Sequence, residues 1–360
     1  MSLPYFDAAA VRAAAPWTTA VAALERALLD GVDPEEDSPR LFSPAPGGEF
    51  LIMPATGRTY GGVKALTVAP GNPARGLKKI QGVYVLVDSD TLAPLAVMDG
   101  TELTAIRTPA TTLLAVTRIL AAPDGAPGAG RGHVDAGGDP SSPQTRSRLD
   151  GTRSRLDGTR SGLDGTRSGL DGTRSRLRVL VFGAGVQALN HLRAAHALLP
   201  GASFAVVGRR PDSTRDLRAT LSAEGIDVRE GSVADVPEAD VVLCATSSRT
   251  PLFDGGLVAP GAVVAAVGQH GLDAREVDST LVRRSDVVVE GRASALREAG
   301  DLIPARSVEE WQALRPANLR ELVLGEFERV PGRPCLYSGV GMAWEDLVTA
   351  ALVYEGGTRE

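Results

Sequence analysis

A glycine-rich segment in the second half of the chain has the residue types and spacing of a dinucleotide-binding turn. Residues 179–188 read VLVFGAGVQA, an apolar run that leads directly into two glycines and a helix predicted from Ala188. Gly183 permits a tight strand-to-helix turn, and Gly185 lets the backbone approach a pyrophosphate at the helix N-terminus. Ala188 allows the helix to pack closely on the strand. The candidate cofactor contacts in this turn are Gly183, Ala184, Gly185, Val186 and Gln187.

The next predicted strand ends in basic residues. Residues 203–208 read SFAVVG, and this strand ends about 20 residues after the glycine turn, where a dinucleotide fold places its ribose-reading residue. The residue there is not acidic, because Arg209 and Arg210 follow the strand and Ser213 is close behind. Two guanidinium groups suit a 2′-phosphate better than a hydroxyl, so we predict NADPH as the cofactor, with NADH as the alternative. The other interpretation is a pair of surface arginines with no ligand.

The composition favours a protein of two domains that acts on small molecules. The chain has 360 residues, of which 43% are hydrophobic and 23% charged. We expect no membrane partner and a cytoplasmic location, because no apolar run approaches the ~20 residues of a spanning helix and the N-terminus does not read as a signal peptide. Cys244 and Cys335 give neither a disulfide framework nor a metal spacing. The net charge of −6 and 4% aromatic content argue against nucleic acid.

A repetitive segment interrupts the chain between its two halves. From Thr145 the unit TRSRLDG recurs with small changes up to residue 178, after a Pro/Gly/Asp-rich stretch. A coiled coil is excluded, because each unit has one Leu and at least one Gly where a coiled coil needs two apolar positions. We predict that residues 123–178 form a disordered linker. The alternative is a basic arm that binds an acidic partner.

The patterns on either side of this linker predict an α/β fold with two domains. Short β-branched runs typical of a parallel sheet occur at 179–182, 203–208, 240–245, 261–268 and 286–290. Runs typical of an antiparallel meander occur at 50–53, 63–68, 83–87 and 95–98, and helices are predicted at 103–120 and 343–354. We therefore expect a Rossmann-type doubly wound parallel sheet and an α+β substrate-binding and dimerisation domain. The predicted boundaries are 1–122 for the substrate domain, 123–178 for the linker, 179–312 for the Rossmann domain and 313–360 for a C-terminal part that returns to the substrate domain.

Several motifs together resemble one enzyme family. They are MPA at 53–55, VKALTVAPGN at 63–72, DGTELTAIRTPA at 99–110, GAGVQA at 183–188 and SGVGMAWED at 338–346. In order and spacing they resemble the ornithine cyclodeaminase/mu-crystallin family, from about Arg40 to Tyr354 without the linker. The resemblance implies a Rossmann domain, a substrate domain that also forms a homodimer, and action on amino or imino acids with a nicotinamide cofactor.

Three basic residues match the positions at which the family holds its substrate carboxylate. They are Arg40 in SPRLF, Lys64 in GVKAL and Arg107 in AIRTPA. A guanidinium that binds in a bidentate manner, together with an ammonium, suits a compact carboxylate. Lys64 and Arg107 also lie in apolar stretches, where an unpaired charge is costly. The alternative for Arg107 is an ordinary solvated helix face. We predict Lys64 and Arg107 as catalytic residues and all three as substrate-binding residues.

Two further segments are candidates for cofactor contacts. Thr246 and Ser247 follow the third strand of the predicted Rossmann sheet, where the loop of the family passes under the dinucleotide. Ser338 and Gly339 resemble the segment near the nicotinamide. Both pairs are equally compatible with ordinary turns.

The sequence departs from cyclodeaminases at the distal end of the substrate. Residues 267–273 read VGQHGLD, so His270 stands where cyclodeaminases have an acidic residue, and the site near Leu51 is apolar as well. Without those carboxylates the ammonium of ornithine has no counter-charge. An imine reductase needs only a carboxylate-binding site, a cofactor and a proton donor, and His270 is predicted as that catalytic donor. The alternative is a loop histidine without a catalytic role.

We therefore predict an NADPH-dependent reductase of cyclic ketimine or imino acids, of the 1-pyrroline-2-carboxylate or 1-piperideine-2-carboxylate type. One alternative is ornithine cyclodeaminase or a related amino-acid dehydrogenase. Another is a crystallin-like protein that binds NADPH without turnover. No metal is expected.

Overall fold

Two β-sheets organise the part of the chain that the computed structural model describes, which comprises residues 3–125, 176–268 and 271–357. The strands are β1 (Tyr5–Phe6), β2 (Leu41–Ala45), β3 (Gly48–Thr56), β4 (Tyr60–Val68), β5 (Ile80–Asp88), β6 (Pro94–Asp99), β7 (Arg178–Phe182), β8 (Ser203–Val207), β9 (Val228–Glu230), β10 (Val241–Cys244), β11 (Val263–Ala266), β12 (Asp286–Val289), β13 (Ala317–Asn318) and β14 (Cys335–Ser338). The helices are α1 (Ala8–Ala14), α2 (Trp17–Leu29), α3 (Gly100–Ala121), α4 (Val186–Leu198), α5 (Pro211–Ala223), α6 (Ser279–Arg284), α7 (Arg292–Glu298), α8 (Val308–Leu314), α9 (Leu319–Val323) and α10 (Ala343–Gly357).

The first sheet is the predicted antiparallel meander. Its strand order is β1-β6-β5-β4-β3-β2, and all neighbours are antiparallel except β1 and β6. Alternate residues of each strand face inward, as the period of two requires. In β3 the buried residues are Leu51, Met53 and Ala55, and in β4 they include Lys64 and Leu66. Helix α10 packs against β3 and β4, so the inner face of this sheet is covered by the C-terminal helix.

The second sheet is parallel and buried on both faces. Its order is β13-β12-β14-β11-β10-β7-β8-β9, which is a doubly wound arrangement. The two faces of the central strands belong to different apolar clusters: Val241 and Leu243 to one, Val242 and Cys244 to the other. Burial on both faces explains why these strands read as unbroken apolar runs. The predicted fold class, a Rossmann-type sheet with a second α+β unit, is confirmed.

The C-terminal segment differs from the boundary expected at residue 312. Strand β14 lies between β11 and β12 in the centre of the parallel sheet, so residues 335–338 belong to the Rossmann sheet. Helix α10, after this strand, returns to the first sheet. The four residues of β14, CLYS, contain no β-branched side chain, so they give only a weak strand signal by themselves. Pairing with two central strands gives that segment its conformation.

Helix α3 connects the two sheets. It packs against β5 of the first sheet and against α4, β11 and β14 of the second. Asp99 caps its start by accepting from the amide of Glu102 at 2.8 Å. Apart from residues 123–125 and 176–178, the predicted linker lies outside the described residues. None of the helices in the described ranges has the length and apolarity needed to span a bilayer.

Candidate active site

The three basic residues predicted to hold a carboxylate converge on one segment, residues 340–346, which comprises the turn after β14 and the first turn of α10. Arg40 precedes β2, Lys64 lies on the inner face of β4, and Arg107 lies in the second turn of α3. Their side chains are 6%, 0% and 7% exposed. Three parts of the chain that are far apart in sequence therefore place positively charged side chains at the same turn.

Asp346 bridges two of these cations. The Lys64 Nζ donates to Oδ2 of Asp346 at 2.6 Å, and the Arg107 Nε donates to Oδ1 at 3.1 Å. The neighbouring Glu345 accepts from Arg107 Nη1 through Oε2 at 2.9 Å. Both acidic side chains are fully buried in the first turn of α10. Removing one partner of such a buried pair costs about 3–5 kcal/mol, so these contacts fix the positions of Lys64 and Arg107.

The surroundings of the two cations shift their pKa values in different directions. Burial lowers the pKa of Lys64 to about 8, although Asp346 opposes this shift. Burial alone would also lower the pKa of Arg107, but Asp346 and Glu345 together raise it. Both side chains therefore carry their charge at neutral pH.

Arg40 holds the turn before α10. Its Nη2 donates to the carbonyl oxygens of Val340 and Gly341, and its Nη1 lies 3.2 Å from Oε2 of Glu298. Gly341 has φ +77°, and a Cβ at this position would lie 2.5 Å from Nη1 of Arg107. Glycine is required here because the backbone is left-handed and the guanidinium occupies the space of a side chain.

Two carboxylates fix the same turn from other elements. Glu290 follows β12 and accepts from the amides of Val340 at 2.9 Å and Gly341 at 2.6 Å. Asp37 accepts from the first two amides of α10, both at 2.9 Å, and burial raises its pKa to about 6. The sequence analysis gave these two residues no role, and the same holds for Glu345 and Asp346. A signal was present for the last pair, because two consecutive acids in an apolar-periodic helix need partners.

The glycine turn has the geometry that a dinucleotide needs. Gly183 has φ +122°, and a Cβ there would lie 2.5 Å from the carbonyl oxygen of Ala245. Gly185 caps α4, and no atom lies within 4 Å of its Cβ position, so its backbone faces open space. The helix starts at Val186, two residues earlier than predicted, and Ala188 is buried against the sheet. Ala184 and Gln187 lie in the same turn. These residues fit a pyrophosphate at a helix N-terminus.

The predicted phosphate-binding residues lie together at the end of β8. Arg209 and Arg210 are exposed, and Arg210 is the residue immediately before α5. Ser213 lies in the first turn of that helix. Among the residues that the structure describes, neither guanidinium forms an ion pair. Both are therefore available to an anionic ligand at this edge of the sheet.

A buried carboxylate joins the ends of two central strands. Oε1 of Glu276 accepts from the amide and hydroxyl of Thr246, at 2.6 and 2.7 Å, and Oε2 accepts from the amide of Gly268 at 2.7 Å. Burial raises the pKa of Glu276 to about 7. The Thr246 donors thus hold the loop, whereas Ser247 is exposed. The predicted proton donor His270 lies outside the described residues.

The segment at the end of β14 is closely packed. Ser338 is buried, and a Cβ on Gly339 would lie 2.8 Å from Oε1 of Glu290. Glycine at 339 therefore allows Glu290 to reach the turn. Within the described ranges, no group of three His, Cys, Asp or Glu residues is arranged to hold a metal ion.

Comparison with known proteins identifies the family. The family described as ornithine cyclodeaminase/mu-crystallin matches residues 12–127 and 173–359. The chain belongs to this family. The resemblance seen in the sequence motifs is thereby confirmed.

Several known proteins resemble the chain over most of its length. It is 32% identical to Delta(1)-pyrroline-2-carboxylate reductase 1 of Burkholderia multivorans over 347 residues, covering 96% of this chain and 93% of the relative. It is 31% identical to Delta(1)-pyrroline-2-carboxylate/Delta(1)-piperideine-2-carboxylate reductase of Azospirillum brasilense, with 96% and 93% covered. In fold it is similar to Thermococcus litoralis Delta(1)-pyrroline-2-carboxylate reductase in complex with NADH and L-proline, with a TM-score of 0.75, 24% identity, and 99% and 98% covered.

Proposed function

We propose that the chain is an NAD(P)H-dependent reductase of cyclic imino acids, of the 1-pyrroline-2-carboxylate and 1-piperideine-2-carboxylate type. The observation that carries this proposal is the convergence of Arg40, Lys64 and Arg107 on residues 340–346, next to the carboxyl ends of the Rossmann strands. In open parallel sheets ligands bind at those strand ends. The names of two relatives that are 32% and 31% identical to the chain support the same reaction.

The reaction requires a hydride at the imine carbon and a proton at the nitrogen. A bound nicotinamide nucleotide supplies the hydride. Lys64 and Arg107 hold the substrate carboxylate with the donors that Asp346 and Glu345 leave available, namely Nη2 of Arg107 and two Nζ protons. This fixes the orientation of the C=N bond, and orientation is a large part of the rate gain in such reactions. The role of His270 as the donor of this proton stays a hypothesis.

We propose NADPH as the preferred cofactor. Arg209 and Arg210 are exposed at the end of β8, and Ser213 adds a hydroxyl in the next helical turn. A guanidinium pairs with a phosphate more strongly than with a hydroxyl, so two of them favour a 2′-phosphate. Gly183, Ala184, Gly185, Val186 and Gln187 hold the pyrophosphate in this proposal, and Thr246, Ser247, Ser338 and Gly339 lie toward the nicotinamide.

We further propose a homodimer that forms through the outer face of the first sheet. Residues that alternate with the buried ones form apolar rows across the strands: Ile52, Ala65 and Val83 in one row, and Pro54, Val63, Val85 and Val97 in the next. Val83 and Phe50 are 36% and 46% exposed. A second copy of the chain would cover this face and remove its apolar area from water. The free, buried Cys244 and Cys335 agree with a cytoplasmic location.

Ornithine cyclodeaminase is kept as a second candidate because the site contains carboxylates that the sequence argument did not count. Asp346 and Glu345 are fully buried beside the cations. Both are already bound to Lys64 or Arg107, so neither is free to balance an additional ammonium group. This arrangement favours the reductase.

One assay separates the candidates. The purified protein is mixed with NADPH and 1-pyrroline-2-carboxylate, and loss of NADPH absorbance is followed; in parallel, ammonia release from ornithine is measured with NAD⁺. We expect rapid NADPH oxidation that Arg107→Ala abolishes and that Arg283→Ala, at an exposed arginine paired with Glu310, leaves unchanged. Ammonia release as the main activity would overturn the proposal. NADPH binding without turnover of any cyclic imine would favour the crystallin-like alternative.

A further inference from the structure

Three buried carboxyl groups lie near the Arg107 guanidinium, and they differ in how many donors they receive. Asp346 accepts from two cations, one on each oxygen. Glu290 accepts from two backbone amides and from the Tyr337 hydroxyl, the last at 3.2 Å. Glu345 accepts only from Arg107, through Oε2, and its Oε1 has no hydrogen-bond partner among the described residues. Its side chain is fully buried.

This difference decides which group carries a proton. An ionised carboxylate that is buried needs donors on both oxygens, and an oxygen without a donor is costly. A proton on Oε1 of Glu345 turns that oxygen into a hydroxyl and removes the charge. Burial raises the pKa of Glu345 well above its ordinary value, and the nearby Glu290 adds to the shift. Asp346 and Glu290, in contrast, receive a donor on each of their two carboxylate oxygens.

We infer that Glu345 is held as a neutral carboxylic acid beside Arg107, so that the two cations Lys64 and Arg107 face two carboxylates, Asp346 and Glu290, and not three. An ionised Glu345 would give this group a net negative charge, which would repel a substrate carboxylate. Glu345 is thus a positioning residue, which acts through the Arg107 guanidinium. The protonation of Glu345 is a property of the protein alone, whereas its effect on substrate binding rests on the proposed function.

The groups that face Glu345 come from every element packed around it. They are Arg107 on α3, Asp346 on α10 itself, Glu290 after β12 and Tyr337 on β14. Lys64 on β4 acts through Asp346. Two of these neighbours are carboxylates, so ionisation of Glu345 would place three negative charges against two positive ones.

Infrared spectroscopy of the protein without ligand tests the proton directly. At about pH 8, Asp37 and Glu276 are mostly ionised, because their pKa values are about 6 and about 7. We expect a protonated-carboxyl band that shifts on ¹³C labelling of glutamate and is lost in Glu345→Gln. Glu321→Gln is the matched control, because Arg292 and Arg315 bind that carboxylate and its pKa is lowered. Absence of a glutamic-acid band in the labelled wild-type protein would overturn the inference, even if the variant fails to fold.

Urea unfolding at several pH values gives a second measurement. A carboxyl whose pKa is raised in the folded state stabilises the fold below the unfolded pKa, and this contribution is lost as pH rises toward the folded pKa. We expect the unfolding equilibrium constant of the wild type, relative to Glu345→Gln, to rise up to tenfold per pH unit between pH 6 and about 8. Relative to Glu321→Gln the ratio stays constant in this range, because Glu321 is ionised in both states. A constant ratio for both variants would contradict the inference.

A ligand-binding experiment distinguishes failure of this inference from failure of the proposed function. Pyrrole-2-carboxylate and its neutral amide are titrated into the protein by calorimetry. With Glu345 neutral, the free donors of Lys64 and Arg107 predict a Kd at least tenfold lower for the anion. A glutamic-acid band with no binding of either compound would count against the proposed function and leave the proton assignment standing. Equal affinity for both compounds would overturn the charge argument.

Discussion

Gly341→Ala tests whether the position of the Arg107 guanidinium, and not only its charge, supports catalysis. A Cβ at this position lies 2.5 Å from Nη1 and 2.8 Å from Nη2 of Arg107, so the guanidinium must move. Nη1 also donates to Glu345 at 2.9 Å, and displacement weakens this bond. A charge-assisted hydrogen bond contributes about 1.5–3 kcal/mol, which corresponds to a loss of about 10- to 150-fold in kcat/KM.

Gly332→Ala is the matched control for this substitution. Gly332 has φ +81°, close to the φ +77° of Gly341, and nothing lies within 4 Å of its Cβ position. Both variants therefore carry a similar backbone strain, about 1–2 kcal/mol. We expect a moderate loss of melting temperature in Gly332→Ala and a larger one in Gly341→Ala, with a loss of kcat/KM for 1-pyrroline-2-carboxylate only in Gly341→Ala. Equal activity of the two variants would refute the reasoning and remove the Arg107 geometry from the mechanism.

Four other changes have expected outcomes. Arg209→Ala with Arg210→Ala raises the KM for NADPH about 10- to 150-fold and leaves that for NADH nearly unchanged, as initial rates would show. Val85→Lys places a charge on the outer face of the first sheet and yields a monomer in light scattering. Deleting residues 126–175 leaves both sheets intact and keeps imine reduction, since both sheets are built from other residues. The KM for the imino acid rises above about pH 8, where Lys64 loses its charge, so a flat profile would contradict that role.

Local patterns were sufficient to predict the sheets and the dinucleotide turn. The β-branched runs and the glycine spacing are properties of a few adjacent residues, and the structure places strands at each of them. Helix α4 begins at Val186, two residues before the predicted start, because Gly185 is its N-cap. Helix boundaries depend on the capping geometry, which the periodicity of apolar residues does not contain.

The residues that fix the active-site turn could not be predicted in the same way. Glu290 and Asp37 contact residues 340–344 across at least 50 and more than 300 positions of sequence. Glu290 directly follows an apolar strand and Asp37 is one of four acids in the segment 33–37, so neither is marked by its neighbours as a residue that holds this turn. Their role depends on β14 lying beside β12 and on α10 returning to the first sheet. These pairings depend on the tertiary packing. The sequence alone therefore does not indicate which buried acid lies beside which buried base, whereas the structure does.

The same long-range contacts couple formation of the binding site to docking of the two sheets. Lys64 belongs to the first sheet, whereas Asp346 follows the last strand of the second, and their contact at 2.6 Å exists only when α10 is packed in place. Arg40 adds a second link through the carbonyl groups of the turn. Docking of the two sheets therefore raises the affinity for a carboxylate that binds Lys64 and Arg107. By reciprocity, binding of that carboxylate stabilises the docked arrangement by the same free energy.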